Sequence, residues 1–355
     1  MPSPSQESNA AIAAYLAEWL QDRGFTVEEL AYEDAGRRKV SLVARKGSGE
    51  GGLGLFSHSD TVPGDAGWDP FSPQIVDGRL VGRGACDMKG PLAATLLAAA
   101  SVEPEQLRRP LTVVITADEE VGYGGAKQVI AQSRLLRDQW PPYSVIAEPT
   151  CLLPVYAHKG GVRVTVTAHG VAAHTSTDLG VSANFLIAPF MAEMAALAQR
   201  LKQDRRYQND AFTPPTNGFN LVINDGGTKP NVTAAKTVCV VGFRPMPNDH
   251  SDEVLQMVLD AAARHHLEVE WYSFGPVQTD PSSRIIQAAC AAAGVATPVT
   301  VPFGTEAAVY KDYTELVILG PGDIAQAHTV GEWIEIEQLV RAVAVYRRLI
   351  AEFCA

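Results

Sequence analysis

The chain has 355 residues, enough for two or three compact cores. Apolar residues make up 46% and charged residues 19%, an ordinary globular balance, and a formal charge of −11 argues against nucleic acid or an anionic membrane as the main partner, since both need a basic footprint. The N-terminal MPSPSQESNA has no basic stretch followed by an apolar run, so no signal peptide is expected, and the longest apolar segment, 91–102, is too short to span a bilayer.

Residues 9–22 show helical apolar spacing (Ile12, Leu16, Trp19, Leu20), closed by Gly24. Short apolar strands follow with helices between them, most clearly at 53–56, 111–116, 144–147 and 316–319. Such near-continuous apolar strands predict an α/β layer with a largely buried sheet. A helix is expected over 91–102, with Pro91 suited to its first turn. The texture changes at Lys159. Alternating V-R-V-T-V-T at 162–167 predicts a half-buried strand, then a helix at 184–201, strands at 219–223 and 237–243, a helix at 251–264 and a strand at 267–271. This β-α-β-β-α-β order is the ferredoxin-like pattern. The α/β texture returns after about residue 275, so 160–274 reads as a small domain inserted into a catalytic domain made of 1–159 and 275–355. Five scattered cysteines (Cys86, Cys151, Cys239, Cys290, Cys354), never in CxxC spacing, read as reduced thiols of a cytoplasmic protein.

Metal-binding side chains recur where the buried strands end. The 53–56 strand runs into Ser57-His58-Ser59-Asp60, and 111–116 into Asp118-Glu119-Glu120. The 144–147 strand runs into Glu148, and 316–319 into Gly320-Pro321-Gly322 and then His328. A glycine-rich turn, Gly82-Arg83-Gly84, leads to Asp87. Sites in open α/β sheets lie beyond the carboxyl ends of the strands, so these segments can converge on one crevice. Two histidines and three carboxylates without a thiolate suit two ions of zinc, cobalt or manganese. Asp87 is the natural bridge, leaving each ion one His and one further Glu. Asp60, two residues from His58, is placed to hold the other ring nitrogen. Of the adjacent Glu119 and Glu120, one can bind metal while the other takes a proton from the attacking water. No HExxH, GxSxG, P-loop or GxGxxG pattern offers a rival chemistry.

The motifs SHSDTVP (57–63), GRGACDMKG (82–90), TADEEVGYGGA (116–126), AEPT (147–150), GVAAHTS (170–176) and GPGDIAQAH (320–328) together resemble the M20 metallopeptidase family over nearly the whole chain. Within that family the resemblance is to the branch of acetylornithine deacetylases and succinyl-diaminopimelate desuccinylases. It implies a zinc-peptidase-like α/β catalytic domain with an inserted ferredoxin-like lid and dimerisation domain, and hence a homodimer. It implies that His58, Asp87 and Glu148 hold one ion and Asp87, Glu120 and His328 the other. Glu119 then matches the general base and acid, and Asp60 the residue that orients His58. In the inserted domain, His174 matches a histidine that stabilises the oxyanion, often from the partner subunit. Asn231 and Arg244 match substrate-binding positions, Arg244 suiting an α-carboxylate that guanidinium grips bidentately. Gly304-Thr305-Glu306 is expected to help shape the substrate pocket.

AHKGGVRV (157–164), YQNDAFTPPTNGFNL (207–221), FGTEAAVY (303–310) and AQAHTVGEWIE (325–335) resemble the deacetylases more than the desuccinylases. Similar segments occur in acetylcitrulline deacetylases, and M20 dipeptidases share every metal residue. The expected substrate is therefore a small N-acyl amino acid. Family members usually carry a further helix ahead of the segment matching residues 2–9, which this sequence lacks.

Overall fold

The computed structural model describes residues 1–65, 67–137, 139–247 and 250–355. The chain divides into two compact units, one of residues 1–156, 279–299 and 305–355, the other of 157–278 and 300–304.

The first unit is built on a mixed sheet in which Thr26–Asp34, Arg37–Lys46, Leu111–Thr116, Leu53–His58, Tyr143–Ile146 and Glu315–Ile318 follow one another across the sheet. The last four of these run parallel. Leu53–His58 and Leu111–Thr116 are buried at every position, which is why they read as unbroken apolar runs. The two outermost strands form an antiparallel hairpin turning at Ala35-Gly36, both at positive φ. Sequence reading did not single out this hairpin, because the edge strand TVEELAYED is mostly exposed and carries four acids.

Helices cover the sheet through one apolar core. Leu16 and Leu20 of helix Ala10–Gln21, Leu92 and Leu96 of helix Lys89–Ala100, and Tyr346, Leu349 and Phe353 of helix Ile336–Cys354 pack with Leu55, Val113, Val145 and Val317 of the strands. The helix expected over 91–102 starts two residues earlier, with Pro91 still in its first turn. Asn9 precedes the first helix without capping it; its side chain instead bonds both main-chain groups of Val40 at 2.8 Å, tying helix to sheet.

The second unit is an antiparallel sheet ordered Asn220–Asn224, Lys236–Phe243, Gly161–His169, Glu268–Phe274. Helices Ala183–Gln203 and Ser251–Arg264 bury Ile187, Phe190, Met194, Val254 and Val258 against Val164, Val166 and Val241. The element order β-α-β-β-α-β and this strand order are those of the ferredoxin-like pattern. All five cysteines are free. Among the described residues, no helix is long and apolar enough to cross a membrane.

Candidate metal centre

Four parallel strands deliver their following residues to the same edge of the sheet, and there the first unit gathers His58, Asp60, Asp87, Glu119, Glu120, Glu148 and His328. The registers align His58 with Thr116, and Phe56 with Ile146. The chain beyond Ile318 passes so close to Ala147 and Glu148 that a Cβ at Gly320 would lie 2.3 Å from the Ala147 carbonyl oxygen and 2.5 Å from that of Glu148. Only glycine permits that approach. Asp87 arrives from outside the sheet, on the turn before helix Lys89–Ala100. The Sγ of Cys86 is bonded to the Asp323 carbonyl, and Met88 is buried with its sulfur 3.3 Å from the His58 main-chain nitrogen.

Asp87 stands between the two histidines. Its Oδ1 lies 3.2 Å from His58 Nε2, and its Oδ2 lies 3.2 Å from His328 Nε2. His58 Nε2 is also 3.6 Å from Glu148 Oε1, and His328 Nε2 is 3.0 Å from Glu120 Oε2. Nitrogen and oxygen donors bound tetrahedrally to one zinc at its usual bond lengths sit about 3.4 Å apart, and these four histidine–carboxylate contacts are close to that length. Glu119 lies close as well: single donor atoms of His58, Glu119 and Glu148 fall within 4.8 Å of one another, as do those of His58, Asp87 and Glu120.

The electrostatics fit cations too. Burial, then the crowding of other carboxylates, pushes Glu119 and Glu148 well above the ordinary carboxylate range, although His58 opposes the shift. Burial raises Glu120 as well, against its hydrogen bond from His328. Burial disfavours a charged His58, yet its bonds to Asp60 and Asp87 outweigh that and hold the imidazole well above its usual value. Asp87 and Glu120 push His328 up to about 10. Left to protons alone, Glu119, Glu120, Glu148 and both imidazoles hold a proton more tightly than usual, while the two imidazoles keep Asp87, and His58 keeps Asp60, below the ordinary carboxylate range despite burial. That is the behaviour of a donor set built for multivalent positive charge.

Around the donors lies a scaffold of buried polar groups. His58 Nδ1 is 3.1 Å from the main-chain carbonyl of Asp60 and 3.4 Å from its carboxylate Oδ1, so the backbone is the nearer holder of the ring. The Asp60 carboxylate also accepts the N–H groups of Glu119 at 3.2 Å and Glu120 at 3.4 Å, and the Ser5 hydroxyl at 2.6 Å. Asp118 adopts a left-handed conformation (φ 58°) immediately before the two glutamates. It is pinned there by Lys39 Nζ and the Tyr32 hydroxyl, each at 2.6 Å. Lys39 carries no signal of this role in the sequence, Asp118 stands out there only as the first acid of the 118–120 run, and Glu306 only as part of the pocket segment 304–306. Glu306 is buried, accepts a hydrogen bond from Thr116 at 2.7 Å, and is pushed by burial up to about 7.

Lys39→Met would leave Asp118 buried without its cation. The expected loss is about 3–5 kcal/mol of unfolding free energy, read from urea denaturation. A loss below about 1 kcal/mol would mean that Tyr32 alone secures the turn.

The remaining substrate-side candidates lie elsewhere. His174, Asn231, Arg244 and Gly304 belong to the second unit, and Thr305 to the first. Within the second unit His174 and Asn231 are neighbours: the Thr175 N–H reaches the Asn231 carbonyl at 3.0 Å, and His174 pairs with Val232 in a short bridge. His174 Nδ1 accepts from the Ser176 N–H at 3.2 Å, which selects the tautomer carrying its proton on Nε2. Arg244 is exposed, its main chain held by Asn217. His169, His250 and His265 pair with surface glutamates.

A mixed α/β sheet with imidazoles and crowded carboxylates beyond its parallel strands defines a metal-dependent hydrolase. The profile of Peptidase family M20/M25/M40 matches residues 54–352. The chain is 38% identical, over 370 aligned residues, to an acetylornithine deacetylase of Myxococcus xanthus, covering 100% of this chain and 95% of that relative. It therefore belongs to the M20/M25/M40 peptidase family. Two solved structures share its fold. An M20 family metallo-carboxypeptidase from Sulfolobus solfataricus aligns with a TM-score of 0.79 at 18% identity, over 99% of this chain and 96% of that one. A Bacillus subtilis protein described as a dinuclear metal binding peptidase of the M20 family aligns with a TM-score of 0.67 at 15% identity, over 99% and 94%.

Proposed function

We propose that this chain is a two-metal amidohydrolase that removes the acyl group from the α-nitrogen of a small amino acid, with N-acetyl-L-ornithine as its substrate and L-ornithine and acetate as products. The reaction would serve arginine synthesis in the cytoplasm. The observation that carries the two-metal reading is Asp87, whose two oxygens each face a different histidine at 3.2 Å. His58, Asp87 and Glu148 would hold one zinc, and Asp87, Glu120 and His328 the other; cobalt would fit the same donors.

Bound metal supplies Lewis-acid polarisation of the amide carbonyl and an acidified water. Glu119 takes the proton from the attacking water on its carboxylate and returns it to the leaving nitrogen. Asp60 keeps His58 aimed and keeps the main chain of Glu119 and Glu120 fixed. His174, with its proton on Nε2, donates to the oxyanion. Arg244 pairs with the substrate α-carboxylate, and Asn231, Gly304 and Thr305 shape the pocket. The ferredoxin-like unit acts as lid and as the dimerisation surface of a homodimer.

The substrate assignment leans on the Myxococcus xanthus relative. An M20 dipeptidase would use the same donors, and the Sulfolobus solfataricus structure belongs to a carboxypeptidase. Primary-amine release from Nα-acetyl-L-ornithine, Nα-acetyl-L-citrulline, N-succinyl-LL-diaminopimelate and a dipeptide separates these readings once the protein is loaded with zinc or cobalt. The expected result is a preference for acetylornithine of at least about tenfold in kcat/KM. Preference for another member moves the substrate and keeps the chemistry. No release from any of them, with two metals bound, rejects the substrate assignment and means that the pocket reads a different amide.

A further inference from the structure

Two buried carboxylates outside the donor set each accept consecutive main-chain N–H groups from donor-bearing segments. Asp60 does this for Glu119 and Glu120. Glu332 does it for the turn that presents Asp87: its Oε1 accepts the Cys86 N–H at 2.8 Å and the Asp87 N–H at 3.0 Å. Its Oε2 pairs with Arg83 Nη1 at 2.8 Å, and Glu332 is 0% exposed. Arg83 spends its other donors on Asp65 at 2.9 Å and on the carbonyls of Pro63 at 3.2 Å and Thr329 at 3.4 Å.

We propose that Glu332 is a positioning residue of the metal centre, acting on Asp87 as Asp60 acts on Glu119 and Glu120. It fixes the aim of Asp87 through the main-chain N–H groups of Cys86 and Asp87, and Arg83 is the counter-ion that holds it in place. The inference rests on Asp87 binding metal. Three arguments support it. A carboxylate buried this completely costs several kcal/mol unless both oxygens are engaged, and here both are. Arg83 balances the buried charge of Glu332, while Asp65, its other carboxylate partner, is about half exposed to water. A bridging aspartate must keep each oxygen on a different ion, and grasping its own N–H removes the backbone freedom that would spoil this. Glu332 also follows His328 by one turn's worth of chain. The Arg83 bond to Thr329 and the Gly82 N–H bond to the Glu332 carbonyl, at 2.8 Å, close the same loop. One segment thus supplies a donor to the far ion and grips the donor shared by both.

The test is Glu332→Gln. An amide has one accepting and one donating end, so either the two N–H groups or Arg83 loses its acceptor. Metal affinities are read by competition with a chromophoric chelator, and ligand geometry by the visible spectrum of the cobalt-saturated protein. The expected result is binding weaker by about 10–100-fold and a cobalt spectrum of altered shape. Val258→Ala, a core truncation in the second unit, lowers stability by a different route and should leave affinity and spectrum at wild type. Affinities within about twofold of wild type together with an unchanged spectrum would overturn the proposal. If Glu332→Gln is insoluble, Arg83→Gln is measured in the same way, with the same direction expected and the same null result decisive. Wild-type protein that fails to bind two ions would instead overturn the metal reading itself.

Discussion

Glu119→Gln protein should bind its metals normally and turn over about 10²–10⁴-fold more slowly. The amide keeps the size of the carboxylate and its place beside His58 and Glu148, but it cannot accept a proton. Burial and the neighbouring Glu148, Glu120 and Asp87 give the Glu119 carboxylate an unusually strong hold on a proton, against the opposing charge of His58. Metal content by elemental analysis and kcat on the best amide substrate are the two measurements. Near-wild-type kcat would remove Glu119 from proton transfer. Loss of metal in step with activity would make it a ligand, a role its closeness to His58 and Glu148 also permits.

Asp87→Ala should abolish activity and weaken both metal sites by more than the roughly 100-fold seen when a supporting residue is lost. The reason is geometric: one side chain faces both histidines, so its loss removes a donor from each trio. Among the described residues Glu148 comes within 4 Å of His58 and Glu120 of His328, so the removal of either should weaken one ion more than the other. Gel-filtered protein analysed for bound zinc separates these outcomes. Retention of two ions by Asp87→Ala would reject the bridge.

Much of the fold was legible because burial leaves a strong imprint on strands. Residues 111–116 form a strand with the bounds that their apolar run predicts, and 251–264 form a helix with the bounds that its periodicity predicts. The outer hairpin was harder to see, since a solvent-facing strand carries no such imprint. The proposed metal ligands were conspicuous because histidines and acids at the ends of apolar strands have no packing reason to be there. Their support was not conspicuous. Lys39, Arg83 and Glu332 are charged residues in stretches that look solvent-exposed, and only the three-dimensional structure reveals that each is buried against a partner. Asp60 was expected to act through its carboxylate on His58; the structure adds its grip on the Glu119 and Glu120 main chain, which no side-chain pattern encodes.

The strand Glu315–Ile318 lies parallel to Tyr143–Ile146, yet the whole ferredoxin-like unit separates the two in sequence. A ribosome delivers these neighbours far apart in time. Until the last part of the chain emerges, an apolar strand in the middle of the main sheet has one bare edge, and such long-range pairing is slow to close. The nascent chain is therefore both inert and adhesive for much of its synthesis, and its hydrolytic power arrives only when its sticky edge disappears.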